Sequence, residues 1–314
     1  MKYSTTKIEK NIKFRMGLNK ELWISDIQEN LKMNASFLAN VTNHDGYVVN
    51  QTVHVPQAGS IIGATKDRVV LPAVVDQRTD LDLIYTTNQY STNPVLVSNL
   101  EDFQINYDKR RSIMGEAFDS LTETIGNEAL FAYCNGLTPI TTTGLDSPEA
   151  LAPSATGNRK AVSIDDIKSM ARELDKQNVP QSGRKLMMNV DMFYQLLSDS
   201  DLLNASYTEF SKNTLETGMI ARLFGFDIMI RNHVGVVSAG GTLKAYGDTG
   251  AATDHLVCVA WHPAFVAKAV KTPDVMYNEN DPSYYGSIFS AIVWAGFSRL
   301  RTDNRGVVVL RQAV

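Results

Sequence analysis

The chain has 314 residues, 44% hydrophobic and 20% charged, an ordinary globular composition that excludes a collagen, a coiled-coil rod or a disordered tail. Thirty Lys and Arg against 34 Asp and Glu leave a formal charge of −4, which argues against a dedicated nucleic-acid binder. Folded compactly, a chain of this mass would expose about 13,000 Å² against about 50,000 Å² when extended, enough burial for one or two cores.

In chain order, residues 1–20 hold six bases (Lys2, Lys7, Lys10, Lys13, Arg15 and Lys20) and one acid, Glu9, and read as a basic arm. The N-terminus lacks the apolar core of a signal peptide. No apolar run reaches 18 residues, so no membrane span is expected. Trp23, Ile27 and Leu31 recur at spacings of four behind Asn19, which predicts a short capped amphipathic helix.

Residues 47–92 change period. Tyr47, Val49, Gln51, Val53 and Val55 alternate with Val48, Asn50, Thr52 and His54, and a second β-rich stretch runs from Arg68–Leu71 through Asp80–Tyr85. Pro56 and Pro72 place these strands at an edge or in a free ribbon. A long hairpin with few large apolar groups near its tip cannot bury itself and must be covered by a partner. From 106 to 136, Ile113, Ala117, Leu121 and Ile125 recur every four residues, with acids at 116, 119, 123 and 128. This predicts one long helix, a structural spine. Lys109, Arg110 and Arg111 near its start oppose the helix dipole and suit nearby acids such as Asp108 or an external anion.

The Thr-, Pro-, Ser- and Gly-rich stretch 137–160 reads as a loop and domain boundary. Ser163 with Asp166 marks a capping-box start, with Ile164, Ile167, Met170, Ala171 and Leu174 as the apolar stripe. A buried strand at 186–190, a helix capped by Asp191 and a strand at 226–230 make an α/β half. The C-terminal part is β-rich at 255–260, 265–270, 287–297 and 307–310.

Catalytic signatures are wanting: no Walker A loop, GxGxxG, HExxH or GxSxG occurs. The five histidines and Cys134 and Cys258 show no metal-ligand spacing, and both thiols are expected to be buried in a reducing compartment. Asp165 and Asp166 suit capping better than acid–base work. Asp80 and Asp82 share a strand face that a basic partner or solvent would cover. Tyr277, Tyr284 and Tyr285 suit packing of a loop on a neighbour. No catalytic residue, metal ligand or cofactor is assigned.

The order of elements resembles the major capsid proteins of tailed bacteriophages. The stretch Gln77-Arg78-Thr79-Asp80 leading to Tyr85 is similar to a returning E-loop strand of one capsid group, and Ile105–Arg110 to the start of its spine helix. Leu174–Pro180 followed by Gly183-Arg184 is similar to the axial-domain signature, and Leu223–Ile228 to the strand after it. Trp261–Phe265 and Arg305–Val308 fit the C-terminal return. The resemblance covers roughly residues 18–314.

The resemblance implies an α+β Hong Kong 97-type fold. Its parts would be an N-terminal arm and short helix (1–45), an E-loop hairpin (46–95), a peripheral domain with the spine helix (96–160), an axial domain (161–262) and a β-rich return (263–314). It implies self-assembly as hexamers and pentamers into an icosahedral shell around double-stranded DNA. The shell would be built in the host cytoplasm and carried in the virion, with a portal and decoration proteins as further partners. With only about 45 residues before the hairpin, a separate scaffolding protein and no large removed pro-segment are expected. No Lys–Asn cross-link is predicted. The expected contact residues between subunits are Lys66, Asp67, Arg68 and Arg78 on the hairpin and Glu116, Asp119 and Glu123 on the spine. An encapsulin-like compartment and, from another class, a hydrolase with an unrecognised site are the competing readings.

Overall fold

A computed structural model of the chain describes residues 36–59, 63–69, 72, 75, 77–98, 108–198 and 222–314. The expected basic arm and the helix at Trp23, Ile27 and Leu31 lie outside the described residues, as do Val70, Leu71 and the 105–107 stretch.

Strands β1 (Thr52–Gln57) and β2 (Leu81–Thr86) are followed by β3 (Asn88–Ser91) and β4 (Val95–Ser98). Helix α1 (Asp108–Cys134) precedes α2 (Ile164–Lys176), β5 (Arg184–Asn189), α3 (Val190–Leu197) and β6 (Phe226–Arg231). The C-terminal part adds β7 (His255–Trp261), β8 (Val266–Val270), β9 (Asp274–Asp281), β10 (Gly286–Arg299) and β11 (Val307–Arg311). The fold is α+β, as the resemblance implies, and it divides into two compact units.

The first unit takes its described residues from 36–39, 88–98, 108–126 and 270–295. Here β10 is central, with β9 antiparallel on one edge and β3 and β4 antiparallel on the other. Its period of two is plain: Phe289, Ala291, Val293 and Ala295 are buried, while Ile288, Ser290, Ile292 and Trp294 are half-buried. On the amino-terminal part of α1, Phe118, Leu121 and Ile125 are buried at helical spacing and Glu116, Asp119 and Glu123 are exposed.

The second unit takes its described residues from 40–87, 127–198, 222–269 and 296–314. Its sheet runs from β6 through β5 to β7, with β11 antiparallel on β7. β5 and β6 pair in parallel, Arg184 opposite Phe226 through Asn189 opposite Arg231. Ile167, Met170 and Leu174 of α2 and Met192, Phe193 and Leu196 of α3 join Leu186, Met188, Phe226, Leu256, Cys258 and Leu310 of the sheet in one core. Ser163 and Asp166 form the expected capping box. Asp166 also accepts from the Thr143 backbone N–H at 3.0 Å and hydroxyl at 2.7 Å, so one carboxylate caps α2 and ties down the 137–160 loop. The cap of α3 is Asn189, whose side chain accepts from the Asp191 N–H; Asp191, the expected cap, lies in the first turn.

Gly306 closes the C-terminal return. It has φ +85° and sits against the Phe265 ring with no room for a Cβ. Its N–H donates to Gln177 Oε1 at 3.0 Å, and its carbonyl accepts from the His262 N–H at 3.0 Å.

Among the described residues the hairpin is ladder-like only at its base, Thr52 opposite Thr86 through Gln57 opposite Leu81. A tight turn with positive φ at Asn50 and Gln51 enters it. Arg68 and Val69, expected to begin a strand, have none: Val69 is 91% exposed and finds no apolar surface to hold it in register. The base, in contrast, is anchored. Val53 and Tyr85 cluster with Ala267 and Ala269, and buried Gln57 donates to the Leu300 carbonyl at 3.2 Å.

Candidate inter-subunit surface

The hairpin beyond its base carries most of the expected contact residues. Lys66, Asp67 and Arg68 are all exposed, and Asp67 has φ +48° in a bend. Arg78 is also exposed but engaged: its Nε lies 2.6 Å from Asp80 Oδ1. That hydrogen bond holds the Asp80 carboxyl below the usual carboxylate range. Asp82, on the other turn of the strand, meets His54 Nδ1 at 2.7 Å. The two carboxylates thus have separate basic partners within the ribbon. The His54–Asp82 pair is diagonal across the ladder, a contact that strand alternation allows but that sequence reading missed.

On the first unit, Glu116, Asp119 and Glu123 lie on the exposed side of α1. Glu116 borders an open groove of about 680 Å³ together with Tyr90, Thr92, Asn93, Ser120 and Thr124. The groove mixes hydroxyls, amides and one carboxylate with the apolar side chains of Val95, Ala117 and Leu121. Tyr284 and Tyr285 stand exposed on the β9–β10 turn, Tyr285 at 80% and φ +49°. Exposed tyrosines on a strained turn are the kind of anchor that interfaces use.

Chemistry that would mark an active site is wanting among the described residues. No group of three or more His, Cys, Asp or Glu is placed to hold a metal ion. Cys134 and Cys258 are free and buried, and burial pushes each thiol up to about 12, which makes them poor nucleophiles. Burial likewise lifts the Tyr85 hydroxyl to about 12. Among the described residues no helix is long and apolar enough to cross a membrane.

The buried Arg184 is structural. Arg184, 1% exposed, donates to Asp175 Oδ1 at 2.6 Å and to the carbonyls of Val179 (2.7 Å) and Pro180 (2.9 Å). It thereby closes the loop between α2 and β5, and the Asp175 carboxyl is held below its usual range by that arginine. This explains physically why Asp175, Pro180 and Arg184 stand together in the sequence.

A family model described as "Gp10A-like: Major capsid protein" matches residues 84–268, more than half of the chain. Among solved structures, "Capsid structure of the Cyanophage P-SCSP1u" is similar with a TM-score of 0.63 at 13% identity, covering 86% of this chain and 85% of that one. A chain from Mycobacterium phage Che8 has a TM-score of 0.59 at 21% identity, covering 87% and 90%. "Crystal structure of virus-like particle from Pyrococcus furiosus" has a TM-score of 0.52 at 14% identity, covering 93% and 99%. None of the curated proteins compared matches the chain. The structural likenesses fix the fold; because they extend to a virus-like particle, it is the family match that separates the capsid reading from the compartment reading.

Proposed function

The chain belongs to the Gp10A-like family of major capsid proteins, and from that premise we propose how it builds a phage head. Copies of the chain associate as hexamers and pentamers of an icosahedral shell around double-stranded DNA, assembled in the host cytoplasm with a separate scaffolding protein and a portal. Decoration proteins are further partners. The family match does not favour the encapsulin-like compartment or the hydrolase.

The observation that carries this reading is the hairpin: anchored at its base by Val53, Tyr85 and Gln57 and exposed beyond it, with Val69 and Val75 at 91% and 92%. A single chain gains nothing from holding such a ribbon in water, whereas a neighbouring copy satisfies its edge and covers its valines. In this reading 46–95 is the E-loop, 1–45 an arm laid on another neighbour, α1 the spine of the peripheral domain, and the sheet of β5, β6, β7 and β11 the axial domain. Lys66, Asp67, Arg68 and Arg78 contact a neighbour, and Glu116, Asp119 and Glu123 receive one. Each exposed ion pair contributes about 0–1 kcal/mol, so the shell is held by repetition and its errors anneal. The mild acidity of the chain, −4, keeps the lining from gripping the DNA that must pack and leave.

Deleting residues 58–68 tests the hairpin. The variant is expected to fold, with unchanged circular dichroism, and to fail to form shells by electron microscopy. Normal shells from the deletion variant would end the hairpin reading.

A further inference from the structure

At the amino end of β7, three nitrogens are buried with no hydrogen-bond partner: Arg159 Nε, Arg311 Nε and His255 Nδ1, the last a donor in the Nδ1–H tautomer of the ring. Arg159 is 4% exposed and His255 3%. The strand register explains how residues so distant in sequence converge. Val257 on β7 faces Arg311 on β11. His255 lies two residues earlier, on the same face as Val257 and diagonal to Arg311, about 7–8 Å away by ordinary sheet geometry. Arg159 reaches the same strand end: its Nη2 donates to the carbonyls of Ala252 (3.0 Å) and Asp254 (3.2 Å), and its Nη1 to those of Thr156 (3.1 Å) and Asn158 (3.0 Å). The loop at Gly241 borders the Arg311 guanidinium.

The charges do not balance. Among the described residues, neither guanidinium meets a carboxylate. Asp254, fully buried, spends Oδ2 on Lys244 Nζ and the Ala251 N–H, each at 2.7 Å, and its Oδ1 has no partner. Of Lys244, Arg159 and Arg311, only Lys244 meets that carboxylate. Burial, and then the Arg159 and Arg311 charges, lower the His255 pKa below its ordinary value, so the ring adds no charge near neutrality but keeps an N–H to donate. Uncompensated buried charge and orphaned donors are costly unless something supplies the missing acceptors.

We propose that Arg311, His255 and Arg159 form an anion site that takes one small oxyanion group, a phosphate or a carboxylate. A guanidinium presents two parallel N–H groups that match such a group, and the imidazole N–H supplies a third direction. The group has two sources: a free inorganic anion, or an acidic side chain of a second copy in the assembled shell. The second source rests on the shell reading above; the first does not.

The test heats the full-length chain, as unassembled subunits and as shells, in inorganic phosphate or in chloride at matched ionic strength and near-neutral pH. At about 20 mM phosphate the subunit melting temperature is expected to rise by about 3–5 °C over chloride. Arg311→Gln should abolish the rise while melting near the wild type in chloride. Arg311→Lys, which keeps the charge and loses the fork, should retain only part of it and serves if the glutamine variant fails to fold. A rise in subunits and shells alike assigns the site to a free anion; a rise confined to subunits shows that a neighbour's carboxylate already fills it in the shell. No phosphate-specific rise in subunits, or an equal rise in Arg311→Gln, would mean that ordered water alone satisfies these donors, and would overturn the proposal. If the chain forms no shells, the subunit comparison still decides the site.

Discussion

At the scale of single residues, the buried polar groups set how the protein responds to acid. Burial lowers the pKa of His44, His255 and His262 below the ordinary value of 6.5. Below that value the unfolded chain takes up protons that the folded chain refuses, so stability is full above about pH 6.5 and falls as the pH drops. In phosphate-free buffer, the melting temperature should hold steady from pH 8 to about 6.5 and decline below it, and His255→Gln should flatten the decline in part. An identical pH profile for the variant would show that His255 does not contribute. A second loss is expected as the pH falls below the ordinary carboxylate value, because Asp175 and Asp227 are both held lower by their basic partners in the folded chain. Little of this was legible in the sequence. His255, Arg159 and Arg311 carry no spacing signal, because strand register and the bonds of Arg159 to the Ala252 and Asp254 carbonyls bring them together. Arg184 stood in a recognisable stretch, but its burial against Asp175 and two carbonyls is a tertiary fact.

At the scale of elements, legibility followed the range of the interactions. The α2 start at Ser163 and Asp166 is written in four adjacent residues, and the capping box forms there. The long helix, expected over 106–136, is described over Asp108–Cys134, and the β7, β10 and β11 strands fall within a few residues of the β-rich stretches expected at 255–260, 287–297 and 307–310. Pairings between distant segments were not legible. Thr42–Asn43 lies parallel to Ala267–Lys268, and β5 to β6, contacts that local periodicity does not encode. The second hairpin stretch failed at Arg68 and Val69 for the opposite reason: local β propensity is present, but among the described residues no strand pairs with it. The double duty of Asp166 yields a prediction at this scale. Asp166→Ala would orphan the N–H groups of Ser163 and Thr143 and the Thr143 hydroxyl. It should cost about 3 kcal/mol in urea unfolding, and Asp166→Asn should recover part of that. A loss below about 0.5 kcal/mol would mean that the 137–160 loop is held by other contacts.

At the scale of the whole molecule, the sequence yields a container protein because so much of it is spent on surfaces that a lone chain leaves uncovered. The exposed ribbon, the acidic side of α1 and the tyrosines at the β9–β10 turn have no purpose in a monomer. In the proposed shell, a neighbouring copy would cover the ribbon. The measurement that bears on this most directly is cryo-electron microscopy of particles formed when the chain is expressed with its neighbouring genes. Closed icosahedral shells tens of nanometres across, with the ribbon between Gln57 and Leu81 lying across an adjacent subunit, are the predicted result. A chain that stays monomeric under every condition, or shells in which that ribbon folds back on its own subunit, would contradict it.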